Sequence, residues 1–121
     1  MNNWRILTIE DDPDGQEVVA LILRYHGIVT DIVGSAEEAL TVLSKETYTG
    51  VIIDLHLPGM DGWRLLQAIR RNPQTNRIPC IAITAYHTDD LAIQAIEAGF
   101  QAYFPKPLEA TSFVRELEAI F

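Results

Sequence analysis

Val51-Ile52-Ile53-Asp54, with Leu57-Pro58-Gly59-Met60-Asp61-Gly62 close behind it, decides the fold. An apolar run that stops at a carboxylate and turns through a Pro/Gly-rich loop reads as a buried strand delivering its last residue to a sheet edge. Aspartate disfavours strand structure, so an Asp closing such a run points to a role beyond the turn. The same design occurs three more times. Arg5–Ile9 stops at Glu10-Asp11-Asp12, residues 81–83 stop at Thr84, and residues 102–104 lead through Pro105 to Lys106. In a parallel sheet all four ends lie on one edge. Four acids, one hydroxyl and one ammonium would meet there, a set suited to a divalent metal and a phosphoryl group.

Working outward, apolar runs alternate with amphipathic ones five times. Strands are predicted at Arg5–Ile9, Val29–Val33 and residues 51–54, 78–84 and 102–104. Helices are predicted at residues 14–26, from Ser35 through Ser44, at 63–71, at Asp89–Ala98 and at 110–121. The first helix shows Val18, Ile22 and Tyr25 at helical spacing and stops at Gly27. The second opens on a Ser35-Ala-Glu-Glu38 capping box. Asn72-Pro73 ends the third, and Gly99 the fourth. Phe113, Leu117 and Phe121 share a face of the last. Strict β-then-α alternation implies an α/β fold, a doubly wound parallel sheet covered by helices on both sides. For strand order 2-1-3-4-5, the ligand crevice lies between strands one and three, the two that end in carboxylates.

The totals bound the function. A chain of 121 residues, 48% hydrophobic, is expected to form one domain over residues 1–121. A net charge of −8 argues against binding nucleic acid or an anionic membrane surface. One cysteine, Cys80, excludes an internal disulfide, and no signal peptide is visible, so a cytoplasmic setting is expected. No apolar stretch approaches the roughly 20 residues of a membrane helix.

Crowded carboxylates repel one another, and a hard divalent cation relieves that repulsion. Asp11 and Asp54 are the candidates for direct Mg²⁺ ligands, with Glu10 acting through water. Asp12 or Asp14 also suits an N-cap of the first helix. A metal-flanked Asp54 can act as a nucleophile toward phosphorus, giving an aspartyl phosphate. Lys106, held between Pro105 and Pro107, is a point-charge partner for a phosphoryl oxygen or, more simply, a salt-bridge partner of Asp54. Thr84 beside Ala85 places a hydroxyl at a strand end. His56, two residues past Asp54, either borders the phosphoryl site or is merely exposed. His26 and His87 read as surface loop residues, Cys80 as a buried strand residue, and Trp63 as packing at the start of the third helix.

Glu10-Asp11, Asp54 with Leu57 to Gly62, Thr84-Ala85, Ala98-Gly99, Tyr103 and Lys106-Pro107 together resemble the receiver domains of two-component response regulators, chemotaxis regulators among them, over essentially the whole chain. The resemblance implies a flavodoxin-like (βα)5 fold and a phosphoprotein that takes its phosphoryl group on Asp54 from a sensor histidine kinase or phosphotransfer protein. It implies Mg²⁺ held by Asp11, Asp54 and the backbone carbonyl of His56, with Glu10 contributing through water. It further implies that Lys106 binds the phosphoryl group and that the Lys106–Pro107 bond is cis. Thr84 and Tyr103 would form the switch that reshapes the surface of the fourth helix, fifth strand and fifth helix for a downstream target or output domain. The expected product is a phosphorelay signalling domain, monomeric or dimerising on phosphorylation, and not a turnover enzyme.

Three other readings compete. A metal-dependent phosphatase of the haloacid dehalogenase type needs a second aspartate two residues past the nucleophile, where His56 stands. An FMN module needs a donor-rich loop after the first strand, where Glu10-Asp11-Asp12-Pro13 offers acceptors. A phosphate-independent adaptor has no need of the acids, Thr84 and Lys106 together.

Overall fold

The computed structural model describes residues 3–121; residues 1 and 2 of the expected domain lie outside the described residues. The elements are β1 (Arg5–Ile9), α1 (Pro13–Tyr25), β2 (Val29–Val33), α2 (Ala36–Leu43), β3 (Gly50–Asp54), α3 (Gly62–Arg71), β4 (Cys80–Thr84), α4 (Asp89–Ala98), β5 (Ala102–Pro105) and α5 (Ala110–Ile120). All strand pairs are parallel, and the order is β2-β1-β3-β4-β5. Strand order reverses at β1, as the placement of the carboxylates requires.

Successive residues of a strand point to opposite faces, and the two faces of this sheet carry separate cores. Leu7, Ile9, Val51, Ile53, Cys80 and Ala82 pack with Ala39 and Leu43 of α2, Leu65, Leu66 and Ile69 of α3, and Ala95 of α4. Ile6, Ile52, Ile81 and Ile83 pack with Val19 and Leu23 of α1 and with Phe113, Val114 and Leu117 of α5. Each fully buried aliphatic side chain contributes on the order of 1.5–3 kcal/mol. This sandwich therefore holds the central strands, and with them the strand ends, in fixed register.

Helix starts follow their caps. The Asp12 side chain accepts from Gly15 N–H, with Pro13 at the first helical position. Ser35 accepts from Glu38 N–H, whereas the Glu38 carboxylate takes the Gly34 amide, one residue before the partner of an ideal capping box. Asp61 caps α3 and Thr88 caps α4. Gly27 and Gly99 both have positive φ, which ends α1 and α4.

The spacing that marks α1 as helical does not name its buried face. Val18 and Tyr25 are exposed, Ile22 is half-buried, and Val19 and Leu23 face the core. Two apolar sets one residue apart fit the same period, and packing against the sheet selects one. The fourth strand starts at Cys80 rather than at residue 78. Pro79 has no N–H to offer a ladder, and the Ile78 carbonyl is taken by Arg70 at 2.7 Å. Phe113 and Leu117 are core as expected. Phe121 meets Trp4 edge-on at 5.3 Å and covers Gly50, where a Cβ would lie 2.1 Å from its ring.

Burial raises the Cys80 thiol from 9.0 to about 11. Burial, with the Asp31 carboxylate accepting its hydroxyl, raises Tyr48 from 10.0 to about 12. Both groups hold their protons more tightly folded than unfolded. Their contribution is complete below the unfolded values and is lost as pH rises through the folded ones. Between about pH 8 and pH 9 the urea midpoint should hold, and above that it should fall. The advantage of wild type over Cys80→Ala should shrink over the same range, and a constant difference would contradict the thiol's part.

Candidate functional site

The carboxyl edge of the sheet gathers the strand ends. β1 delivers Glu10, β3 delivers Asp54 and β4 delivers Thr84, while Lys106 follows β5. The Gly62 Cα lies so close beneath this edge that a Cβ would stand 2.5 Å from the Asp54 carbonyl oxygen and 2.8 Å from the Leu55 Cα. That close approach is why the loop after β3 ends in glycine.

Asp54 is almost fully buried. Its Oδ1 accepts the His56 amide at 2.9 Å, and its Oδ2 accepts the Lys106 ammonium at 3.1 Å. Lys106 also donates to Oε1 of Glu10, which is completely buried. Carboxylate oxygens of Glu10, Asp11 and Asp54 lie within 4.8 Å of one another. Glu10, Asp11, Asp12, Asp54, His56, Ala85, Tyr86 and Lys106 line a cleft of about 270 Å³, several water volumes.

The electrostatics separate the two buried acids. Burial first, and then the facing Asp54, push Glu10 up to about 7 against the pull of Lys106. Burial also works to raise Asp54, but hydrogen bonds from Glu10, the His56 amide and Lys106 hold it below the usual carboxylate value. Lys106 is raised: burial opposes its charge, and the two carboxylates outweigh that. Asp54 is thus the anionic member of the pair. Three oxygen donors, one of them on exposed Asp11, fit a hard divalent cation that keeps part of its water shell.

The response regulator receiver domain model matches residues 6–118. The chain belongs to this family. Among similar proteins, the chemotaxis protein CheY-3 of Vibrio cholerae is 32% identical over 98% of this chain and 92% of its own length. The transcriptional regulatory protein HprR of Escherichia coli is 35% identical over 95% of this chain, which spans only 50% of HprR. The receiver domain of a sensor histidine kinase of Pseudomonas aeruginosa PAO1, solved with magnesium coordinated in its active site cleft, has a TM-score of 0.88 at 28% identity, covering 98% of this chain and 97% of that one. The flavodoxin-like receiver fold is therefore established for this chain.

This receiver domain brings together most of the residues that its sequence singles out. Glu10, Asp11, Asp54 and Lys106 converge, and the Lys106–Pro107 bond is cis. Asp12 lines the same cleft, but its side chain caps α1. Thr84 is fully buried, with its hydroxyl already engaged: it accepts the Tyr86 amide at 3.0 Å and pairs with the His56 ring at 3.0 Å. His56 is both exposed and at the border of the site, and its ring meets Tyr86 edge-on at 4.5 Å. Trp63 packs on Phe100 and also lines a groove with Asp11.

Two contacts lie beyond the sequence reading. Glu10 bonds directly to Lys106, 96 residues away, which no local pattern encodes. His87 is not a bare loop residue, because its Nδ1 lies 2.9 Å from the Tyr103 hydroxyl. Only the polar character of His87 on a loop after a strand end hinted at this. Among the described residues no helix is long and apolar enough to cross a membrane.

Mg²⁺ should raise the unfolding temperature of wild type saturably. Asp11→Asn and Asp54→Asn should each weaken the half-saturating concentration by roughly tenfold or more, the scale seen even for groups one step removed from a metal. Unchanged Mg²⁺ dependence in both variants would exclude the acidic cluster as the site. Gly62→Ala should cost about 1–3 kcal/mol in urea unfolding, because the added methyl has only backbone to displace.

Proposed function

We propose that this domain accepts a phosphoryl group on Asp54 from a phosphohistidine of a sensor kinase or phosphotransfer protein, as a switch in two-component phosphorelay signalling. The observation that carries the proposal is the anionic Asp54 facing the Lys106 ammonium, beside an acidic cluster and at the end of an otherwise apolar strand. An Asp54 oxygen attacks phosphorus, the phosphorus–nitrogen bond breaks, and its electron pair returns to the donor imidazole. Lys106 neutralises the transferred oxygens. Mg²⁺, held by Asp11, Asp54 and the His56 carbonyl with Glu10 behind them, would supply further charge neutralisation. The residue two past Asp54 is histidine, so the site lacks the carboxylate base of an aspartyl phosphatase. That favours a persistent acyl phosphate over catalytic turnover, in a cytoplasmic signalling protein.

Phosphorylation adds anionic oxygens near the Thr84 hydroxyl, which would exchange its present partners for them. In this reading, movement of Thr84 biases Tyr103 and the surface of α4, β5 and α5 between two states. That surface would be read by a protein target or an attached output domain, as a monomer or a phosphorylation-dependent dimer. Phosphate-independent adaptor behaviour is the competing reading.

Acetyl phosphate with Mg²⁺ should add one phosphoryl group by intact mass, labile to hydroxylamine, in wild type and not in Asp54→Asn. An unmodified Asp54 would favour the adaptor. Sustained hydrolysis of p-nitrophenyl phosphate would favour the phosphatase. Thr84→Ala should still be labelled, but Tyr103 should no longer respond to labelling. A normal Tyr103 response in that variant would break the proposed coupling.

A further inference from the structure

We infer that His87 is a latch that holds the Tyr103 side chain in the resting state and so sets how readily the domain switches. The inference rests on the reading of Asp54 as phosphoacceptor. His87 lies on the loop between β4 and α4. Its Nδ1 is 2.9 Å from the Tyr103 hydroxyl, the two rings lie 5.5 Å apart, and its Nε2 is 3.7 Å from the Asp89 carboxylate at the start of α4. Tyr103 stands opposite Ala82 in the β4–β5 register, and Thr84 lies two residues farther along the same face of β4.

The loop from Thr84 to His87 is thus held at both ends. At one end the Thr84 hydroxyl accepts the Tyr86 amide and pairs with His56, whose ring packs on Tyr86. At the other end His87 holds Tyr103. Drawing the Thr84 hydroxyl toward an oxyanion on Asp54 frees the Tyr86 amide and loosens the segment that carries His87. Reorientation of Tyr103 breaks the bond to His87. Both contacts exist together with the Thr84 hydroxyl bonded to His56 and Tyr86, so each opposes its departure toward Asp54. Removing the latch raises the fraction of competent protein, and the apparent affinity for a phosphoryl mimic rises in proportion. One hydrogen bond sets the scale at roughly two- to tenfold.

The test is titration of the full chain with beryllofluoride in saturating Mg²⁺, followed by the NMR signal of labelled Tyr103 and, separately, of Lys106. His87→Ala and Tyr103→Phe, the latter read at Lys106, should each lower the half-saturating concentration by roughly two- to tenfold. The double variant should shift no further than Tyr103→Phe alone, because that change already removes the hydroxyl that bonds His87 as well as the Thr88 backbone. His87→Gln, which retains a hydrogen-bonding group, should fall nearer wild type. Variants that lose stability to urea while half-saturation stays at the wild-type value would show a structural role only and overturn the latch. Additive shifts would also overturn it, since His87 would then act by a route other than Tyr103. Failure of wild type itself to bind beryllofluoride would instead overturn the phosphoacceptor reading, and the latch with it.

Discussion

The Lys106 ammonium stands between two carboxylates, Glu10 and Asp54, that the fold has taken out of water. The site depends on that arrangement. A buried charge is costly unless it is paired, and two buried acids at close range oppose each other's ionisation. One cation serves both. The result is asymmetric: Glu10 is pushed up to about 7 while Asp54 stays anionic. A carboxylate must be anionic to attack phosphorus, so the same electrostatics that make the cluster tolerable keep Asp54 in the form that the proposed phosphoryl transfer requires.

Holding three distant segments to this geometry is the work of the sheet. β1 and β3 are adjacent and parallel, which sets Glu10 and Asp54 side by side at the point where strand order reverses. Two separate apolar layers clamp the central strands from both sides. At the end of β4 Thr84 bonds His56 beside the site, and three residues on His87 bonds Tyr103 of β5.

Much of this is legible in the sequence. Alternating runs, the Asp12, Ser35 and Asp89-region helix starts and the glycine stops are local features, and local chemistry governs them. The chain positions of Glu10, Asp11, Asp54, Thr84 and Lys106 could be read because each closes an apolar run. The buried face of α1 is not legible in the sequence, because Val18, Ile22 and Tyr25 obey the same 3.6-residue period as Val19 and Leu23. Periodicity names a stripe, and only the neighbouring sheet decides which stripe it covers. His87 reads only as a surface loop residue, because a loop histidine carries no pattern that names its partner.

By itself, the sequence determined the order of elements, the fold class and which polar residues close the strands, since these follow from periodicity, capping and residue chemistry along a short stretch of chain. Only the tertiary structure decided that Lys106 bridges Glu10 as well as Asp54, that the Thr84 hydroxyl is already occupied by Tyr86 and His56, and that His87 reaches Tyr103. Those contacts join residues separated by up to 96 positions. Hydrogen bonds and charge pairs act over a few ångströms of space, a distance that chain separation does not encode.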